Sequence, residues 1–126
     1  MNEFATVRYA EEDNVAIVTI CRPEAMNAFN SQLRADLLAV LKKAKENNNI
    51  RVVILTGEGR SFSAGADLKS SLGKEEDVEK MLQAEYRPIL ECIWDMDKPV
   101  IAAVAGSAAG IGVSLALVCD LLVMEE

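Results

Sequence analysis

β-prone residues crowd two short stretches near the amino end, Phe4 to Tyr9 and Val15 to Ile20, and the polar run Glu11-Glu12-Asp13-Asn14 between them predicts a hairpin. Cys21-Arg22-Pro23 ends the second strand, and a loop runs on through Met26 and Ala28. The apolar period then lengthens. Leu33, Leu37, Val40, Leu41 and Ala44 fall on one face of a helix that Asn30 can cap and that Asn47-Asn48-Asn49 stops. Arg51 to Thr56 returns to a strand, whose unbroken Val-Val-Ile-Leu run suits a position covered on both faces. A polar, glycine-bearing loop follows from Gly57 to Ser71. Beyond it a second amphipathic helix is expected from Glu75 to Asp95, with Val78, Met81, Leu82, Ile89, Leu90, Ile93 and Trp94 as its apolar side and Pro88 as a kink or break. Pro99 to Val104 reads as a buried strand and Val113 to Val118 as a buried helix, with a last strand after it. Strands and helices alternate after the hairpin, which predicts an α/β layer structure with parallel pairings.

The uncharged stretch from Pro99 to Cys119 also has the length of a membrane span, and Gly106-x-x-x-Gly110 matches a helix-dimer motif. Ala, Gly, Ser and Val dominate it, however, and it lacks an aromatic belt and flanking Lys/Arg asymmetry. A strand followed by a helix accounts for it better, and no membrane partner is expected.

A chain of 126 residues, 51% hydrophobic and 26% charged, is long enough for one modest domain with one core. Its net charge of −7, with no basic cluster interleaved with aromatics, argues against nucleic acid as a partner. Cys21, Cys92 and Cys119 are odd in number and set among apolar neighbours, so they read as buried thiols rather than as a disulfide or zinc framework. With no histidine and no close carboxylate cluster, no metal site is predicted. The amino end has no basic n-region or apolar h-region, and a cytoplasmic location is expected. Gly110-x-Gly112 lacks the third glycine of a dinucleotide fingerprint, and no Gly-Lys-Ser/Thr completes a phosphate loop.

Two small-residue loops follow short buried strands: Gly57 to Lys69, and Gly106 to Gly112. Ligands gather at the carboxyl ends of strands in α/β sheets, and small residues let backbone N–H groups come close to them. The first N–H groups of the helix after Gly112 have no intrahelical partners and sit at the positive end of its dipole. Two such donors converging from different loops would stabilise an oxygen that gains negative charge. On composition alone, plain tight turns are the favoured reading of both loops.

Three strings carry further information: Arg22-Pro23-Glu24-Ala25-Met26-Asn27-Ala28, then Ser61-Phe62-Ser63-Ala64-Gly65-Ala66-Asp67-Leu68-Lys69, then Lys98 to Gly106 continuing to Cys119-Asp120. In this order and at these separations they resemble the enoyl-CoA hydratase/isomerase (crotonase) family, across nearly the whole chain. The resemblance implies a crotonase-like spiral of ββα units that binds acyl-CoA thioesters, with coenzyme A entering as part of the substrate and no permanently bound cofactor. It implies an oxyanion hole from the backbone N–H groups of Ala66 and Ile111. Ala64, Ala66, Asp67 and Leu68 would lie near the adenine end of CoA, and Ala25, Met26 and Ala28 would shape the pantetheine and nucleotide side. Arg22 and Lys69 are candidate phosphate partners, and Asp67 can also cap its own turn.

Ser114 stands where hydratases of the family commonly carry a glutamate. Its hydroxyl is too weak an acid and base to activate water unaided, so Ser114 is expected to line the acyl pocket. The Gly-Ile-Gly-Val-Ser-Leu-Ala-Leu wording looks most like the isomerases and ring-modifying enzymes of aromatic-acid degradation, a branch whose acid/base carboxylate comes from a later segment. Residues 1–126 thus correspond to the N-terminal part of the family's core, with on the order of 100–150 further residues expected in the complete fold. Double-bond isomerisation or hydration is the implied activity, and a non-catalytic acyl-CoA binder is the alternative. Because the carboxyl-terminal strand, helix and strand are apolar all round, association is expected, the family precedent being a trimer or dimer of trimers.

Overall fold

A computed structural model describes residues 4–59, 61–65, 75–108 and 111–124, with the backbone alone described at 75–83, 85, 107 and 111. Strands β1 (Val7–Glu12) and β2 (Val15–Ile20) pair antiparallel, from Val7 opposite Ile20 to Glu12 opposite Val15. Only Asp13 and Asn14 make the turn, with φ of 50° and 68°. Two left-handed residues match the twist of a tight hairpin, and Asp and Asn tolerate that region, so Glu11 and Glu12 extend the strand instead of forming the loop.

Helix α1 (Ser31–Glu46) starts where the sequence predicts, with the Asn30 side-chain oxygen accepting from the Leu33 N–H at 2.9 Å. At its other end the Lys98 ammonium donates to the carbonyls of Ala44 and Asn47 at 2.9 and 3.0 Å, where a cation meets the negative end of the dipole. Leu33, Leu37, Val40, Leu41 and Ala44 are all buried, as the period requires. Buried Asp36 ties the chain before β1 to this helix, accepting from the Thr6 N–H at 3.1 Å and the Thr6 hydroxyl at 2.7 Å.

Strands β3 (Val52–Gly57), β5 (Val100–Val104) and β7 (Leu121–Met124) join the hairpin in a sheet of order β1-β2-β3-β5-β7, in which β2, β3, β5 and β7 run parallel. The crossovers contain α1, α2 (Glu75–Trp94) and α3 (Ile111–Val118). In-register rows Ala16–Val53–Val100 and Val18–Leu55–Ala102 are fully buried. The alternate row, Ile17–Ile54–Ile101, is only half-buried, which corrects the expectation that β3 is covered on both faces. All four residues of β7 are exposed.

Helix α2 continues through Pro88. Its apolar side buries Tyr86, Ile89, Cys92 and Ile93, but Trp94 is 76% exposed, against expectation. Trp94 lies about 100° round the helix from Ile93, so counting it in the stripe stretches the apolar face past the one that packs. The expected roles of the Val78, Met81 and Leu82 side chains fall outside the described residues.

The three cysteines are free, and only Cys92 is fully buried; Cys21 and Cys119 are half-buried. The Cys21 thiol donates to the Glu58 carboxylate, a bond that raises its pKa and lowers that of Glu58. Burial, helped by the Asp120 carboxylate, pushes the Cys119 thiol up to about 12 from an ordinary 9.0. A thiol held neutral in the fold contributes stability that is complete below the unfolded pKa and lost as pH rises through the folded one. The thermal midpoint should therefore decline between pH 9 and about 12, and Cys119→Ser should flatten that decline. An unchanged slope in a pH series of melting curves would remove Cys119 from the alkaline limb.

Candidate active site

Both loops singled out in the sequence contain short strands. Past β3 the chain turns at Gly57 and Gly59 into β4 (Ser61–Ser63), and past β5 it turns at Gly106 into β6 (Ser107–Ala108). A Cβ on Gly57 would lie 2.6 Å from the Phe62 carbonyl oxygen, so only glycine lets the chain fold back this tightly. Gly106, with φ of 82°, makes the second turn. β4 and β6 pair parallel, Ser61 with Ser107 and Ser63 with Ala108, forming a second small sheet off the carboxyl ends of two neighbouring strands. These pairings escaped the sequence reading because serine, alanine and glycine give no strand period.

Helix α3 begins at Ile111, two residues before the apolar run suggests. Its Gly112 sits against the end of β4: a Cβ there would be 2.7 Å from the Ser63 carbonyl oxygen and 2.9 Å from the Ser63 Cβ. The first turn of α3 thus rests on the residue from which the chain leaves β4.

The loop after β2 closes onto the same place. Pro23–Ala25 form a single 3-10 turn, and Met26 and Asn27 take left-handed φ values of 53° and 57°. The Met26 carbonyl accepts from Ala64 N–H at 3.0 Å, and Phe29 N–H donates to the Gly65 carbonyl at 2.7 Å. The Ser63 hydroxyl donates to the Asn27 carbonyl at 2.9 Å and accepts from Gly65 N–H at 3.2 Å.

Asn27 itself is fully buried. Its side-chain oxygen accepts from Arg22 N–H at 2.7 Å, and its amide nitrogen donates to the carbonyls of Glu58 and Ser61 at 2.8 and 2.6 Å. The sequence reading quoted Asn27 only as part of a string. The available signal was an amide-bearing residue just before the apolar pair Ala28-Phe29, in a loop with backbone groups to satisfy.

Of the residues expected around CoA, Ala25 ends the 3-10 turn, Met26 is 52% exposed, Ala28 is buried, and Ala64 is exposed beside Met26. Backbone bonds from Ala28 N–H to the Ala25 carbonyl and from Ala64 N–H to the Met26 carbonyl bring the two segments together here. The Arg22 guanidinium donates to the Ala28 carbonyl and its side chain is only 14% exposed, so it braces the loop. Ile111 opens α3, and Ser114, one turn on, is exposed. Ala66, Asp67, Leu68 and Lys69 lie outside the described residues. Asp120 is occupied structurally, its carboxylate accepting from Val100 N–H at 2.8 Å. Among the described residues there is no grouping of side chains that could hold a metal, and no helix long and apolar enough to cross a membrane.

The sequence model of the enoyl-CoA hydratase/isomerase family matches residues 10–126. The chain belongs to this family. It is 40% identical over 123 residues to a "Probable enoyl-CoA hydratase" of Rhodobacter capsulatus, covering 98% of this chain and 47% of that protein. It is 38% identical over 116 residues to the 1,2-epoxyphenylacetyl-CoA isomerase of Escherichia coli, covering 89% and 44%. The crystal structure of an enoyl-CoA hydratase from Bacillus anthracis superposes with a TM-score of 0.89 at 33% identity, over 95% of this chain and 47% of that one. The α/β fold is therefore the crotonase fold that the sequence resemblance implies, and the chain spans about half the length of the curated relatives it matches.

In this fold the Asn27 side chain holds together backbone that belongs to no helix or large sheet. Asn27→Ala leaves the Arg22 N–H and the carbonyls of Glu58 and Ser61 without these partners. It should cost about 3 kcal/mol, since each of these three hydrogen bonds is worth roughly 0.5–1.5 kcal/mol. Thermal denaturation should show a midpoint lower by roughly 10 °C. A change under 2 °C would mean that water replaces the side chain without loss.

Proposed function

We propose that this chain supplies the CoA cradle and the electrophilic half of an acyl-CoA hydratase or isomerase. In that reading the thioester carbonyl lies between the N–H groups of Ala66 and Ile111, which stabilise the enolate oxygen as it gains charge. Each such donor is typically worth ~10²–10³ in turnover. The observation that carries the reading is the seating of Gly112 on Ser63, which brings the first turn of α3 against the end of β4, three residues before Ala66. Family membership supplies the chemistry such a junction serves. In this reading Ala25, Met26, Ala28 and Ala64 would line the coenzyme's site, Asp67 and Leu68 adding to it from the adjoining segment, and coenzyme A would come and go with the substrate.

Ser114 favours isomerisation, or a hydration whose carboxylates come from elsewhere, because a hydroxyl without an adjacent base moves no proton efficiently at neutral pH. The same residue favours the second reading, an acyl-CoA binder without turnover. Crotonyl-CoA and a 3-enoyl-CoA distinguish the two: double-bond migration or loss supports catalysis, while binding without change supports the binder. For the donor itself, Ile111→Pro is the direct test. Proline is tolerated at the first helical position, so the substitution deletes one N–H and spares α3. Polarisation of a bound thioester, read as a lowered carbonyl stretch, should fall in the variant, with turnover down ~10²-fold where present. Full polarisation in Ile111→Pro would take Ile111 out of the site.

We also propose self-association through β7, where Leu121 and Val123 are each 59% exposed on an unpaired edge. Leu121→Lys with Val123→Lys should shift sedimentation of the 126-residue chain towards the monomer. A monomeric unsubstituted chain would refute this.

A further inference from the structure

We propose that Ser63 is a positioning residue, setting the gap between the thioester-polarising amides without touching the substrate. The proposal rests on the reading of the Ala66 and Ile111 donors given above. Four constraints meet at this fully buried residue. Its hydroxyl donates to the Asn27 carbonyl at 2.9 Å and accepts from the Gly65 N–H at 3.2 Å, which ties it to the loop after β2 and to the residue preceding Ala66. Its backbone pairs with Ala108 in the small sheet, and its carbonyl oxygen and Cβ are the surfaces on which Gly112 rests.

A hydroxyl that donates one way and accepts the other has no rotational freedom left. The Ser63 side chain therefore sets the direction in which the chain departs through Gly65, whose φ is 99°, while its main chain sets how closely α3 approaches. Burying a hydroxyl is costly unless it is bonded, and an alanine would fill almost the same volume. What the oxygen adds is a fixed angle between the two segments. Oxyanion donors act over a narrow range, about 2.7–3.1 Å from the oxygen, and a displacement of about 1 Å can cost ~10²-fold.

The test is Ser63→Ala, measured in three ways on the same preparation: affinity for free CoA, carbonyl stretch of a bound acyl-CoA, and thermal midpoint. CoA affinity should change less than about threefold, and the carbonyl shift should fall by at least half. Where turnover is measurable, kcat should fall about tenfold or more with KM little changed, since the interaction being lost is far stronger in the transition state than in the ground state. Ser63→Cys, which keeps a side chain of similar shape with a weaker hydrogen bond, should fall between the two and serves as the test if Ser63→Ala does not fold. A carbonyl shift equal to that of the unsubstituted chain in whichever variant folds overturns the proposal, and so does equal loss of CoA affinity and carbonyl shift, the mark of general loosening. An unsubstituted chain that binds acyl-CoA with no carbonyl shift overturns the functional reading, and this proposal with it.

Discussion

The site depends on how backbone polar groups outside the main sheet and helices find partners. Residues 27–29 and 61–65 follow the ends of β2 and β3, and apart from exposed Ala64 they are buried, so their N–H and carbonyl groups enter a packed region. A buried backbone group left unbonded costs about as much as a whole hydrogen bond gains. The two segments meet that demand mutually, through the Ala64–Met26 and Phe29–Gly65 backbone bonds and through the Asn27 carboxamide. An amide suits this role because it carries donors and an acceptor on one short stem, so it can satisfy an N–H and two carbonyls at once. A carboxylate there would face two carbonyl oxygens, and an aliphatic side chain would satisfy none of the three.

The main sheet sets where this junction lies. With β2, β3 and β5 parallel, their carboxyl ends emerge together, and each chain departing from them enters the same corner of the molecule. The two glycine turns then send β4 and β6 outward side by side, and the close Gly112–Ser63 contact fixes α3 against them. One sheet face is buried, with α1 against β1 and β2 and α3 against β5, which gives that corner a packed base. The other face, with its half-buried row of Ile17, Ile54 and Ile101, and the exposed β7 edge are apolar surface of the kind that other chain or another subunit covers. That is consistent with relatives about twice as long as this chain.

Much of the frame was legible from residue spacing. The hairpin, the Asn30 cap, the face of α1 and the sequence of alternating elements all follow from period and capping chemistry, because each is decided by neighbours within a few positions. Three features were not. β4 and β6 are made of serine, alanine and a single phenylalanine, and their pairing is decided by where β3 and β5 bring them. The uncovered face of β3 was hidden because an unbroken apolar run says that both sides are apolar, not that both are covered within this chain. The bracing role of Arg22 was hidden because a loop cation does not announce which carbonyl will reach it, and here the positive-φ turn at Met26 and Asn27 folds the Ala28 carbonyl back within its reach. The candidate CoA residues were found through whole motifs rather than through the character of any one side chain, since alanine and methionine carry no chemistry that would announce them.

The division of labour at the site follows from the same physics. Backbone amides can polarise a carbonyl whatever side chains accompany them, so in the proposed function the electrophilic half of the reaction would be encoded by turns, glycines and the start of a helix. Proton transfer needs a side chain of suitable pKa, and Ser114 does not offer one. Under that proposal, a chain with serine at this position would still lower the cost of forming an enolate. Where the proton goes would then be decided by whichever carboxylate is brought to the substrate, so that one such cradle could serve both hydration and double-bond migration.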